Sequence, residues 1–214
     1  MGVHPKLRGF SRVKHIKAFS KYLKGIEKDL EKLGCIDFDV EIVPFGSSRS
    51  FLGKLFLGPD YEKPEEVLAV LAEVHGCPVA ILVPIAEKGV TMPYSICVEL
   101  PVPMTGRAEY RRGTLGNKWH CELKNKRLIA DLKRSLPKVE MKHQHQVQRL
   151  AVTYVYKPDV GYCLEPTADG KTEWTIHSGY HGGMLTGGYR PRIHKYLEVI
   201  PTVEALLRKW KHGQ

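Results

Sequence analysis

Several kinds of segment are missing from this 214-residue sequence, and each absence excludes a class of protein. There is no run of about 18 apolar residues, so we expect no membrane-spanning helix. The basic N-terminus lacks the apolar segment of a signal peptide, so we expect a cytoplasmic protein rather than a secreted one. The sequence also contains no P-loop, no dinucleotide-binding fingerprint and no serine or cysteine hydrolase elbow.

The cysteines exclude two kinds of stabilised small domain. There are five of them, an odd number, and no two form a Cys-x-x-Cys pair. This spacing argues against a disulfide framework and against a structural zinc site, and it favours buried thiols in a reducing compartment.

Charge is the feature that points most directly to a partner. The chain has a formal net charge of +10, and its charged residues fall in blocks. Residues 1–34 contain nine Lys/Arg and three Asp/Glu, residues 35–106 contain four and ten, and residues 107–149 contain twelve and four. Two basic blocks thus bracket an acidic one. They predict a polyanion-binding surface, unless the basic N-terminal segment packs beside the acidic block and the charges cancel.

The strongest periodic signal predicts one long cationic amphipathic helix over residues 6–33. Its apolar residues recur in steps of three and four, which places them on one face. They are Ile16, Phe19, Leu23, Ile26, Leu30 and Leu33. Gly34 follows at a position where helices commonly end in the left-handed conformation. We expect the stripe to pack within the chain or against a partner protein, and a position on an anionic membrane is the alternative.

The remaining periodicities predict an α+β fold. Its mixed, largely antiparallel sheet is packed by the long N-terminal helix and by two or three further helices. The further helices are predicted at 65–75, 119–136 and 201–210. Strands are predicted at 36–42, 51–57, 78–85, 94–100, 147–156, 161–165, 172–177 and 196–200. The proline-rich link 101–106 separates an N-terminal half, 1–104, from a C-terminal half, 105–214, or is a crossover within one single domain, 1–214.

One short pattern points to metal-dependent catalysis. Gly46 and Ser47, preceded by phenylalanine, are followed by Asp60 and Glu62. This pattern resembles the signature of the DNA-polymerase-β-type nucleotidyltransferases. The resemblance implies that the Gly-Ser pair binds triphosphate oxygens, that the two acids hold Mg²⁺, and that Glu99 is a third carboxylate from a later strand. The residues after Glu62 do not form that family's apolar strand, so the acids also fit a turn and a helix cap.

Two further patterns have the spacing of metal ligands. Asp37, Asp39 and Glu41 alternate with apolar residues, so their carboxylates share one strand face. We favour the polar side of an amphipathic strand, turned towards the lysines of the first helix, over a Mg²⁺ site. His143 and His145 are spaced in the same way, but no third ligand at fixed spacing accompanies them. We therefore expect no cofactor outside the nucleotidyltransferase interpretation.

Basic and aromatic residues supply the candidates for nucleic-acid contacts. They come from the N-terminal helix, from the second basic block and from the glycine-rich loop 178–192. The predicted contact residues are Lys14, Lys17, Lys21, Arg107, Arg111, Arg112, Lys124, Lys126, Arg127, Tyr180, Tyr189, Arg190 and Arg192. Each segment also has a purely structural interpretation, as a solvated helix face or as a surface hairpin whose glycines only meet backbone demands.

The sequence thus predicts a non-enzymatic binding protein whose basic surface engages nucleic acid or an acidic partner within a larger assembly. A Mg²⁺-dependent nucleotidyltransferase-like enzyme is the first alternative. The second is a structural subunit that docks on a partner protein through residues 6–33.

Overall fold

An antiparallel sheet organises the fold in the computed structural model, which describes residues 3–10, 16–44, 66–85, 95–113, 116–121, 126–136, 160–177 and 193–211. Eight strands of these residues lie in the order β1-β2-β3-β4-β8-β7-β5-β6. They are β1 (Phe38–Pro44), β2 (Glu66–Val74), β3 (Cys77–Ile85), β4 (Ser95–Leu100), β5 (Ala108–Gly113), β6 (Gly116–Cys121), β7 (Val160–Pro166) and β8 (Thr172–His177). Strands from both sides of the proline-rich link share this sheet, because β4 pairs with β8.

Helices share one core with this sheet. They are a 3-10 helix (Pro5–Phe10) and four α-helices, α1 (Ile16–Glu31), α2 (Lys126–Ser135), α3 (Ile193–Leu197) and α4 (Ile200–Lys211). Apolar side chains of all five belong to one core cluster with strand residues, among them the fully buried Trp174. The predicted α+β class with a largely antiparallel sheet is confirmed. No helix in the described residues is long and apolar enough to cross a membrane.

The prediction of a single long helix over residues 6–33 is wrong, because the structure has a 3-10 helix at Pro5–Phe10 and a separate helix, α1, at Ile16–Glu31. Two hydrogen bonds of His4 position the N-terminal segment. The His4 backbone N–H donates to Ser20 Oγ at 3.0 Å, and its Nδ1 accepts a hydrogen bond from the Lys6 N–H at 3.2 Å. The first bond ties the residues before the 3-10 helix to α1, the second lies within the N-terminal segment, and Leu7 is buried in the core. A continuous helix would carry Leu7 along the α1 axis and away from that position.

The apolar stripe and the C-terminal end of α1 agree with the sequence. Leu23, Ile26 and Leu30 are buried in the main core, so the stripe packs within the chain. Gly34 has φ +74°, and its N–H donates to the Glu31 carbonyl at 3.0 Å. The next N–H reaches back to the Leu30 carbonyl at 3.0 Å. This pair of bonds is a Schellman motif, which satisfies carbonyls that the helix end would leave exposed.

The helix predicted at 65–75 is wrong, because this segment forms β2. It is apolar on both faces of a strand: Leu68 and Val70 enter the main core, whereas Val67 and Ala69 enter a smaller apolar cluster on the opposite face. A central strand buried on both faces needs such a continuous apolar run. The glycine read as a helix end belongs instead to the tight β2–β3 turn at 75–76, whose two residues have φ 52° and 73°. Positive φ at both central residues is the requirement of a type I′ hairpin.

Two further elements differ from prediction. The helix predicted at 119–136 starts too early, since β6 occupies Gly116–Cys121 and α2 begins at Lys126. The strand predicted at 196–200 is wrong, because Ile193–Leu197 forms α3. The buried residues Ile193, Leu197 and Ile200 follow one another at helical spacing.

The other predicted elements agree with the structure wherever it describes them. Strands predicted at 78–85, 94–100, 161–165 and 172–177 correspond to β3, β4, β7 and β8, and the predicted last helix corresponds to α4. The β7–β8 hairpin turns at Gly170, with φ +78°, as the Asp-Gly pair predicts. The strands predicted at 51–57 and 147–156 lie outside the described residues.

Candidate nucleic-acid interface

The outward face of α1 carries lysines. Its buried residues Leu23, Ile26 and Leu30 recur every three or four positions and face the sheet. Lys24 and Lys28 are one helical turn apart on the other side, and both are exposed. Neither lysine forms an ion pair or hydrogen bond with another residue in the part of the chain that the structure describes. Both ammonium groups are therefore open to an anion from solution.

Other helices that pack on the same core carry further exposed cations. Arg127 and Lys133 on α2 and Lys195 on α3 are exposed and, among the described residues, unpaired. The helices contact one another in two pairs, α1 with α3 and α2 with α4. We name Lys24, Lys28, Arg127, Lys133 and Lys195 the helical cation surface.

Other cations of the same helices are already paired. Arg134 bonds to Asp131 within α2, and Lys209 reaches the same carboxylate at 3.8 Å. Arg208 pairs with Glu204 within α4. The Arg134 and Arg208 pairs lie within one helix and the Lys209 pair joins α4 to α2, but all three cations are exposed, so each pair adds little to stability. They leave the five cations of the helical cation surface without a described carboxylate partner.

A buried carboxylate fixes α1 against α3. The Asp29 side chain is 4% exposed and accepts a hydrogen bond from the Ile193 N–H at 2.9 Å. His194 Nδ1 lies 2.7 Å from its other oxygen. Since a carboxylate can only accept here, the imidazole donates from Nδ1. Lys32 adds a third bond at 2.8 Å. Asp29 thus supplies the N-terminal cap of α3 from a different helix, and it holds the two cation-bearing elements together.

The carboxylates of the acidic block face the other way. In β1, Phe38, Val40 and Ile42 pack into the helix-covered core. Alternation therefore puts Asp39 and Glu41 on the opposite side of the sheet. The predicted alternation is confirmed from residue 38 onward, whereas the idea that these acids face the lysines of the first helix is wrong. Ile36, predicted to begin the strand's apolar side, precedes β1 and is 76% exposed.

The same sheet face carries a row of three glutamates. Glu99 on β4 is the register partner of Glu173 on β8, which is the partner of Glu165 on β7. Lys171 bonds to Glu99, and the Arg107 guanidinium lies 3.7 Å from Glu165. The row is therefore flanked by its own cations. No group of three side chains placed to hold a metal ion occurs in the described residues.

The cysteines on the described strands and loops are thiols. Cys77, Cys97 and Cys163 are buried, and Cys35 is half-buried. Burial raises the pKa of the Cys35 and Cys77 thiols. Both therefore carry less of the reactive thiolate than an ordinary cysteine at neutral pH.

Where the structure describes them, the predicted nucleic-acid contacts and the alternative catalytic residues do not lie together on one surface. Lys17 and Lys21 lie on α1, Lys126 and Arg127 on α2, and Arg111 and Arg112 on β5. Arg107 precedes β5 beside Glu165, away from the helices. Of the alternative catalytic set, Glu99 alone is described. Outside the described residues lie Lys14, Lys124, Tyr180, Tyr189, Arg190, Arg192, Gly46, Ser47, Asp60, Glu62, His143 and His145.

Four members of the helical cation surface are absent from the predicted contact set: Lys24, Lys28, Lys133 and Lys195. The helical period of α1 places the first two off its apolar stripe, which is a signal that the sequence already contains. Lys195 had no such signal, because it lies in no predicted helix and the segment after it, 196–200, is predicted as a strand. Comparison of the chain with protein-family models, with curated proteins and with solved structures gives no match.

Proposed function

We propose that the protein binds nucleic acid through the helical cation surface. One observation carries the proposal: five exposed cations on three helices have no ion-pair partner among the described residues. Exposed cations that no carboxylate pairs with attract an extended polyanion. The positive helices and the carboxylate-bearing sheet face lie on opposite sides, so the described acids of β1 do not oppose this attraction.

The charge count sets the size of the expected effect. Each cation that neutralises a phosphate releases a condensed counterion, so affinity falls with salt. With all five cations engaged on a duplex, the slope of log K against log salt is about −4.5. Between about 50 and 200 mM salt the affinity then falls about 500-fold. A steep slope is therefore the signature of this mode of binding.

The test compares two double variants with equal changes in net charge. K24Q/K28Q removes two cations from the helical cation surface. R107Q/K171Q removes two cations from the glutamate-bearing sheet face and is the matched control. Binding of labelled DNA and RNA fragments is followed by fluorescence anisotropy across salt concentrations, with thermal melts confirming that both variants fold.

We expect K24Q/K28Q to weaken binding and to reduce the salt slope by about 1.8, while R107Q/K171Q leaves the slope nearly unchanged. Equal losses in the two variants would show that net charge, not this surface, governs binding. No binding by the unmodified protein at the lowest salt would refute the proposal. That result would favour the structural-subunit alternative, which predicts co-purification with a protein partner.

A further inference from the structure

The helical cation surface is polar throughout. Among the described residues, Ile36 is the one large hydrophobic side chain that is exposed. It lies before β1 and not on a helix. Phe19 on α1 and Tyr196 on α3 are each 8% exposed. Trp210 on α4 packs partly against the core, and the Lys209 ammonium lies 5.5 Å from its ring centroid. No described helix therefore presents an open aromatic face to solvent.

This composition limits what the surface can recognise. Proteins that bind single strands stack bases on exposed aromatic rings. Helices that lie on membranes insert apolar side chains below the headgroups. Of the aromatic side chains whose burial is described on the chain's own helices, Tyr22 and Trp210 are partly buried and none is fully exposed. The free cations of these helices can contact phosphate oxygens, and phosphate contacts carry no direct information about base sequence.

The backbone positions that carry the cations of α1 and α3 are also fixed relative to each other. Lys24 and Lys28 are separated by a rise of about 6 Å along α1. The Schellman motif at Gly34 fixes the end of that helix, and Asp29 fixes α1 to α3 through two hydrogen bonds. Helices held in this way lose little backbone entropy when they bind a partner whose charges are equally rigid, so the entropy cost is confined to the lysine side chains. A duplex provides such charges, one per about 1.7 Å of its axis.

We infer that the helical cation surface binds double-stranded nucleic acid through its phosphates, without reading the base sequence. This inference rests on the proposed function and adds the form of the nucleic acid to it. It depends on the lack of fully exposed aromatic side chains on the described helices and on the fixed placement of α3 against α1, rather than on the charge alone.

The test uses the full chain and four probes at about 100 mM salt. They are a short DNA duplex, its two separated strands, a second duplex of equal length and unrelated sequence, and vesicles of anionic lipid. We expect the duplex to bind about tenfold tighter than either strand, and the two duplexes to bind within about twofold of each other. K24Q/K28Q should lower duplex affinity more than strand affinity, since it removes two cations carried on these fixed backbone positions.

Each other outcome overturns the inference alone or the proposed function together with it. Tighter binding to a single strand, or a tenfold preference between the two duplexes, would overturn the inference while the proposed function stands. Binding to the vesicles but to no nucleic acid would overturn both, and would make the surface a membrane contact. Failure to bind any probe would overturn the proposed function and the inference with it.

Discussion

Replacing Asp29 with alanine tests how the helical layer is held together. The carboxylate is almost fully buried and receives three hydrogen bonds. Two of them cross from α1 to α3, from the Ile193 N–H and from the His194 ring. Alanine leaves the Ile193 N–H, which is the first of α3, without its acceptor. The substitution also removes the partner that orients His194.

The expected loss follows from the environment of each bond. A buried N–H left without a partner costs about 1–3 kcal/mol. The His194 bond to a charged acceptor contributes about 1.5–3 kcal/mol. The Lys32 ammonium is 55% exposed, so its pair contributes about 1 kcal/mol at most. We therefore expect Asp29→Ala to lower the free energy of unfolding by about 3–5 kcal/mol.

Urea denaturation measures this loss as a shift of the midpoint at constant m-value. Asp131→Ala is the matched control, because Asp131 is also a helical aspartate but pairs with the exposed side chains of Arg134 and Lys209. We expect the control to cost less than about 1 kcal/mol. A loss below about 1 kcal/mol for Asp29→Ala, with unchanged m, would refute the assignment of Asp29 as the tie between α1 and α3.

Three further predictions concern the sheet. His75→Asn should stabilise the chain by about 0.5 kcal/mol in a thermal melt, because asparagine tolerates the positive φ of the β2–β3 turn better than histidine does. Ile36→Ser should change stability by less than about 0.5 kcal/mol, whereas Phe38→Ala, two residues later at 5% exposure, should cost about 3–5 kcal/mol. The pKa of Asp169 should lie below its usual value in an NMR titration, because the Thr167 hydroxyl donates to it at 2.5 Å. Thr167→Val should raise that pKa. Because the pKa of Asp169 is lower in the folded state, its stabilising contribution is present above the unfolded-state pKa. That contribution is lost as the pH falls through the folded-state pKa.

Local signals account for the parts of the fold that the sequence predicts correctly. The apolar period of α1, the alternation in β1 and the Asp169-Gly170 turn each lie within a few residues of the structure that they specify. The continuous apolar run of β3 is equally local and identifies a strand buried on both faces. Such patterns need no knowledge of which segments become neighbours.

The errors arise where a segment is decided by its neighbours. The β2 segment fits a helix, with glycine after it and acids at its start. It forms a strand instead, because pairing with β1 and β3 lets it bury both of its apolar faces at once. The α3 segment is capped by Asp29, which lies 164 residues before Ile193 in the chain. A cap so far away leaves no trace in the local sequence of α3.

The candidate surface also depends partly on local sequence and partly on the topology of the fold. The sequence identifies the segments that are basic, but the side of the sheet that each cation faces depends on topology. Arg107 and Arg127 belong to one basic block, yet Arg107 lies beside Glu165 whereas Arg127 is exposed on α2. The charge of a block therefore predicts attraction to a polyanion, and the fold selects the residues that are left to provide it.

Replacing Asp29 with asparagine tests whether charge or the placement of α3 against α1 governs the affinity for a duplex. Asp29→Asn removes a negative charge from beneath the helical cation surface, so electrostatics alone would strengthen binding to a polyanion. Asparagine keeps an acceptor for the Ile193 N–H but weakens the His194 bond, so α3 and its Lys195 are held less firmly against α1. We expect duplex affinity to fall about two- to threefold despite the gain in positive charge, because the added disorder must be lost on binding. Anisotropy titrations at constant salt measure this directly. Tighter duplex binding by Asp29→Asn would mean that charge alone governs affinity and that the placement of α3 against α1 does not contribute.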